Sequence, residues 1–264
     1  MDSRSRCARP RAGNRYAGES RLVAGALLVA LLGFQPVLAF AGGLLPQATA
    51  SSGTSASSPA TIPADSAGSF AAATALERQQ ASADVRYVAG WVATTGDNQA
   101  MPYVIVDKVN ARVYVFDAGG GLQDSAAALL GMERGDGSAD GLGKRALAAI
   151  GPEQRTTPAG RFVASLGLDL KGQDILWVDY DTSLALHRVV KGTPSERRAQ
   201  RLQSPAADDN RISYGCINVP VAFFEAVVSP AFKRSSGVVY ILPETSQAQD
   251  LFKPRMADAL PDAQ

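Results

Sequence analysis

The sequence predicts a mainly β domain, a sandwich or barrel-like body with a few short helices. Residues with high β preference gather in short runs, such as Tyr103-Val104-Ile105-Val106-Asp107 and Arg112-Val113-Tyr114-Val115-Phe116-Asp117. The connection between these two is short enough for a hairpin. Helical patterns do not alternate with the runs, as a parallel βα succession would require. No internal repeat is evident.

Taken in order, residues 1–41 read as a secretory signal. Six arginines (Arg4, Arg6, Arg9, Arg11, Arg15 and Arg21) precede or flank the apolar run Leu22–Leu32. Gly33, Pro36 and the small-residue site Ala39-Phe40-Ala41 follow, and cleavage is expected after Ala41. A cut after Ala50 is the second choice. An uncleaved anchor is the alternative, because apolar character continues with gaps to Leu45. Residues 42–75 are dominated by Ala, Ser, Gly, Thr and Pro, and read as a flexible tether that buries too little to offset its ordering entropy. A helical lead-in is expected within 76–101, around Leu76–Ala93, carrying Leu76, Val85, Val88 and Trp91. The folded domain is expected over 102–245. Its opening hairpin ends at the Gly119-Gly120-Gly121 cluster, read as a turn, and later strands are expected at Gly160–Leu166, Ile175–Tyr180, Leu184–Val190 and Gly237–Leu242. A helix over Ala222–Val228 follows Pro220, since proline suits a first helical turn. Residues 246–264 read as a C-terminal tail.

Net charge over the 264 residues is +1, from 26 basic and 25 acidic side chains. The leader holds six of the basic residues against Asp2 and Glu19, so the remainder is net acidic. This balance argues against a nucleic-acid partner, and gives the membrane no handle beyond the N-terminal segment, if that stays uncleaved.

There are two cysteines, Cys7 in the leader and Cys216. An exported domain would therefore carry one unpaired thiol into an oxidising compartment, which needs explaining. A buried inert cysteine is the plain explanation. The surroundings favour another. Cys216 lies in Arg211-Ile212-Ser213-Tyr214-Gly215-Cys216-Ile217-Asn218-Val219-Pro220, directly after a glycine and shortly before the expected helix. Main-chain N–H groups of such a turn can face an oxyanion, but a thiol still needs a neighbouring base to become a nucleophile. The chain has one histidine, His187. On the strand Leu184-Ala185-Leu186-His187-Arg188-Val189, alternation puts Leu184 and Leu186 on one face and Ala185, His187 and Val189 on the other. A structural histidine is the alternative. Other chemistries lack their signals. One His and one Cys fall short of a zinc set, and there is no nucleophile elbow, phosphate loop or dinucleotide glycine pattern. No metal or organic cofactor is implied, and a redox role lacks a Cys-x-x-Cys pair.

The run Ser213-Tyr214-Gly215-Cys216-Ile217-Asn218 resembles the active-site signature of the L,D-transpeptidase family, usually Ser-His-Gly-Cys followed by Val or Ile and Arg. Thr157-Pro158-Ala159-Gly160-Arg161-Phe162 is similar to that family's Thr-Pro-x-Gly-x-Phe segment. Val106-Asp107-Lys108 with Arg112–Phe116 resembles its first strands, and His187 falls where its catalytic histidine lies. The match runs from about Tyr103 to Pro243. The resemblance implies an L,D-transpeptidase-like β-sandwich or barrel, placed in the periplasm or cell envelope of a bacterium. It implies a peptidoglycan cross-linking enzyme with stem peptides as acyl donor and acceptor, or a wall-attached protein as acceptor. Cys216 would be the nucleophile and His187 the proton acceptor and donor. Main-chain amides near Tyr214, Gly215 and Cys216 would form the oxyanion hole, with Ser213 and Asn218 beside them.

Three departures stand out. Tyr214 replaces the usual second histidine. Asn218 replaces the common arginine, so Arg188 or Arg211 is expected to supply that charge, unless each is simply a surface residue. Finally, 29 positions separate His187 from Cys216, and the added segment is polar: a solvated loop, or a lid or clamp. An L,D-carboxypeptidase sharing the thioester, or a decayed wall-binding protein, would carry the same motifs.

Overall fold

The structure is a computed structural model that describes residues 64–253, with side chains from residue 71 onward. The signal and its cleavage sites, residues 42–63 of the expected tether, and the tail beyond 253 lie outside the described residues.

Ten strands carry the body: β1 (Tyr103–Asp107), β2 (Arg112–Phe116), β3 (Leu122–Ala127), β4 (Leu130–Gly131), β5 (Gly160–Leu168), β6 (Asp174–Asp179), β7 (Leu184–Arg188), β8 (Arg211–Ser213), β9 (Ile217–Val219) and β10 (Gly237–Ile241). Eight form one sheet in the order β3-β2-β1-β10-β5-β6-β7-β9, and β4 pairs with β8. Neighbours are antiparallel except β1–β10 and β7–β9 in the large sheet, and β4–β8. The chain leaving β3 at one edge reaches β9 at the other. Leu129 and Asn218 exchange two main-chain hydrogen bonds, of 2.8 and 2.9 Å. The sheet is thereby nearly closed and barrel-like, as the short runs of the sequence predict.

Both faces of β1, β2 and β10 are covered, which is why their sequences are continuously apolar rather than alternating. Val104, Val106, Val113, Val115, Val239 and Ile241 point inward, where they meet Phe223, Phe224, Val228 and Phe232 of the helical segment 221–232. Tyr103, Ile105, Tyr114, Phe116, Val238 and Tyr240 face outward, beneath helices α1 (Ala64–Arg78) and α2 (Ala83–Thr95).

Where a single helix is expected around 76–93, there are two. Ser82 accepts a hydrogen bond from the Val85 N–H at 3.2 Å and starts α2, after a break in which Gln80 adopts φ +52°. Helix α1 begins at Ala64, inside the stretch expected to be a tether. Its alanines favour helix, and Leu76 anchors it in the outer core. The compact body therefore begins before Pro102. It also takes in the start of the expected tail, where the turn Ala248–Leu251 delivers Phe252 against Trp91 and Tyr240. The helix expected at Ala222–Val228 runs through to Phe232, with a π turn at Phe224–Val228 just before Pro230, which has no N–H to give. At the glycine cluster, Asp117 accepts from the N–H groups of Gly119 and Gly121, and Gly120 adopts φ +85°.

Candidate active site

Strand β7 sets the histidine. Leu184 and Leu186 enter the barrel core while Ala185 joins Ile175 and Trp177 on the outer face, and His187 shares that face by strand alternation. Strand β9 lies beside β7 with Asn218 opposite His187, so the residue just before β9 lies near the imidazole. That residue is Cys216. It packs against the Ile175, Trp177 and Ala185 cluster, hydrogen-bonds to His187, and has its Sγ 3.5 Å from the Ser183 carbonyl.

The imidazole is oriented from behind. His187 Nδ1 donates to the Arg188 carbonyl at 2.7 Å; a carbonyl can only accept, so Nδ1 carries a proton and Nε2 is left for the sulfur. Burial pulls the imidazole toward its neutral form. The hydrogen bond and charge of Cys216 act against burial, helped by the Arg188 carbonyl, while Arg198 acts with it. The balance holds His187 above an ordinary histidine.

The turn carrying Cys216 is held by its neighbours. Ser213 Oγ donates to the Cys216 carbonyl at 2.7 Å and accepts from the Gly215 N–H at 3.1 Å. The Gly215 amide is thus engaged inside the turn. Gly215 adopts φ +123°, and a Cβ there would sit 2.7 Å from the Thr156 carbonyl oxygen. Glycine is required on both counts. Fully buried Thr157 links three segments: its hydroxyl accepts from the Gly131 N–H at 2.9 Å and donates to the Gly215 carbonyl at 2.8 Å. The Thr157 carbonyl accepts in turn from Lys108 Nζ at 2.9 Å.

Lys108 is wholly buried and also donates to the Gly135 carbonyl at 2.6 Å and Asp136 Oδ1 at 2.8 Å, with Glu244 Oε1 3.6 Å away. Burial draws its amine below the usual lysine range, and the carboxylates oppose that. Asp136 is held well below the ordinary carboxylate range: burial acts against ionisation, but hydrogen bonds from Lys108, from Thr245 and from the Glu244 main chain outweigh it. This network ties both ends of the long segment between β4 and β5 to the β1–β2 hairpin.

The remaining predicted residues divide. Tyr214, half-buried, lies under the Arg155 guanidinium, 4.0 Å from the ring centroid. Asn218 is buried; its Nδ2 donates to the Cys216 carbonyl at 3.1 Å, and its Oδ1 accepts from Arg198 Nη1 at 3.1 Å. Arg188 and Arg211 are committed elsewhere. Arg188 pairs with Asp174 at 2.9 Å and Glu225 at 3.1 Å. Arg211 pairs with Glu244 and donates to the Lys108 carbonyl at 2.8 Å. The arginine beside the Cys–His pair is instead Arg198, from the polar segment between β7 and β8. That segment is structured, with α3 (Arg198–Arg201) flanked by 3-10 turns at Pro194–Glu196 and Ala207–Asn210. In the sequence Arg198 is one of several charges in that polar segment, and the local signal for order is Thr193-Pro194-Ser195-Glu196, which forms a capping box.

Among the described residues, no group of three or more His, Cys, Asp or Glu is placed to hold a metal ion, and no helix is long and apolar enough to cross a membrane.

No family model matches the chain. No curated protein matches it either. Among solved structures, the chain is similar to the catalytic domain of an L,D-transpeptidase from E. faecium, with 17% identity and a TM-score of 0.27, over 53% of this chain and 95% of that one. A likeness so distant carries no argument about the chemistry of Cys216.

Proposed function

We propose that the protein is a peptidoglycan L,D-transpeptidase of the bacterial cell envelope, exported by its N-terminal segment and working through Cys216 and His187. The single observation that carries this reading is the hydrogen-bonded Cys216–His187 pair, its imidazole oriented by the Arg188 carbonyl on one shared face. The motif resemblance supplies the substrate class.

In this reading His187 Nε2 takes the thiol proton, and the sulfur attacks the carbonyl of the third residue of a tetrapeptide stem. The C–N bond to the terminal D-Ala breaks, its amine leaves with the proton from His187, and a thioester remains on Cys216. The amine of a second stem, or of a wall-attached protein, then attacks the thioester. It gives a proton to His187, which returns it to the departing Cys216 thiolate, so the enzyme ends as it began. The carbonyl oxygen of each tetrahedral intermediate forms against the Tyr214 and Cys216 amides of the turn, since the Gly215 N–H expected to join them is engaged by Ser213 Oγ; one well-placed donor contributes about 3 kcal/mol. No cofactor enters the cycle.

Incubating the domain with tetrapeptide muropeptides tests the proposal. The expected products are D-Ala and dimers joined between the third residues of two stems, both lost in Cys216→Ala. Tripeptides without dimers would move the acceptor to water and make the enzyme an L,D-carboxypeptidase. Equal products from wild type and Cys216→Ala would end the proposal.

A further inference from the structure

The segment 189–210 brings one cation into the neighbourhood of the Cys–His pair, and its contacts are unusually complete for an arginine on a polar connection. Arg198 is only 9% exposed. Its Nε donates to Glu196 Oε2 at 2.9 Å and its Nη1 to Asn218 Oδ1 at 3.1 Å. Glu196 is itself fixed, accepting from the Thr193 N–H at 3.1 Å, while Arg201 Nε donates to the Glu196 carbonyl at 2.8 Å. Gly192 adopts φ +60° and lies so close that a Cβ would meet Glu196 Oε2 at 2.0 Å and Arg198 Nε at 2.8 Å. On the far side, the amide group that receives Arg198 is the one that donates to the Cys216 carbonyl. A guanidinium is the group that can make two directed bonds from one rigid plane while keeping its charge at any working pH.

We propose that Arg198 is a positioning residue of the reactive centre: through Asn218 it fixes the Cys216 main chain, and it sets a permanent positive charge beside His187. This rests on reading Cys216 and His187 as a reactive pair. Among the described residues, the charged groups that act on His187 are Cys216 from the turn before β9 and Arg198 from α3, with Glu196 held on Arg198, and the Tyr180 phenol stacks on Trp177 of the same face. Asn218 of β9 and Trp177 of β6 face the same side without charge, and the Arg188 side chain turns away to Asp174 and Glu225. A fixed cation there disfavours imidazolium and favours thiolate. It therefore keeps the histidine ready to give up the proton that the departing amine must receive. The long segment between His187 and Cys216 is then part of the site rather than a solvated loop.

The chain contains one histidine, so its imidazole resonances can be assigned without ambiguity. The test follows the NMR titration of His187 in a Cys216→Ala background, which removes the coupled sulfur and makes the readout independent of turnover. Arg198→Met should move the midpoint to higher pH, while Arg198→Lys, which keeps the charge, should stay near the parent. Glu196→Gln, which strips the counter-charge, should move it to lower pH and serves if Arg198→Met fails to fold. An unmoved midpoint in Arg198→Met, a shift in Arg198→Lys as large as in Arg198→Met, or no downward shift in Glu196→Gln would overturn the proposal. Failure of the transpeptidase reading would show separately, as absence of product from wild-type enzyme.

Discussion

Replacing Thr157 by valine removes one hydroxyl and almost no volume, so its consequence can be worked from the hydrogen bonds alone. In the wild type that oxygen accepts from Gly131 N–H and donates to the Gly215 carbonyl, at 2.9 and 2.8 Å, in a fully buried position. Valine leaves both main-chain groups without that partner and brings a methyl group against them. Each buried group left unpaired costs about 1–3 kcal/mol, so a loss of about 3 kcal/mol is expected for the two together. For a body of this size that corresponds to a fall in Tm of about 6–12 °C. Thr157→Ser keeps the hydroxyl and loses one methyl, and should fall by only about 1 kcal/mol. Urea unfolding followed by tryptophan fluorescence measures both. Because the Gly215 carbonyl belongs to the turn that carries the thiol, iodoacetamide labelling of Cys216 under native conditions should also change rate in Thr157→Val and not in Thr157→Ser. If Thr157→Val unfolds at the urea concentration of the wild type, the link between Thr157 and the cysteine turn does not hold the site as described.

Gly215→Ala should lower stability by about 1–3 kcal/mol and impair activity, because a left-handed φ is combined with a backbone oxygen in the way; thermal melts and product formation read the two effects. Lys108→Met should be among the most destabilising single changes, by about 3–5 kcal/mol in urea unfolding, since it leaves Asp136 without its buried counter-charge and the Gly135 and Thr157 carbonyls without their donor, while Glu244 keeps Arg211. His187→Gln should lower kcat/KM by about 10²–10⁴-fold, the usual contribution of a positioned acid–base. His187 also predicts a pH signature. Its folded pKa is raised, so its contribution to stability is fully present below the unfolded histidine value, near 6.5, and is lost as pH rises through the higher folded value. The gap in unfolding free energy between wild type and His187→Gln should therefore be widest in mild acid and shrink on the alkaline side, as denaturant melts from about pH 5 to 9 will show.

The parts legible in the sequence were those with strong local signals. β1, β2 and β10 are buried on both faces and read as unbroken apolar runs, while β7 reads as alternation that separates Leu184 and Leu186 from His187. β3, β4, β8 and β9 were missed because they are short or polar, and their pairing is decided by partners far away in the chain. Gln123 and Asp124 on β3 give no β signal, and Leu129 finds Asn218 only when the barrel closes. At the site, Cys216 and His187 are legible as the lone residues of their kind in the expected domain. The cation beside them was not, because Arg188 directly follows His187 and Arg211 lies just before the Ser213–Asn218 run, whereas Arg198 is near neither in sequence. What separates them is tertiary: acidic partners on other elements take up Arg188 and Arg211, while the capping box at Thr193 turns Arg198 inward.

Intact-protein mass spectrometry after exposure to a carbapenem addresses the acylation chemistry most directly, since a β-lactam carbonyl offers the sulfur an amide that opens without leaving. Wild-type protein should gain the mass of one drug molecule, mapped by peptide digestion to Cys216, and Cys216→Ala should gain nothing. An unmodified wild-type protein, or an adduct that survives in Cys216→Ala, would contradict a Cys216 acyl-enzyme.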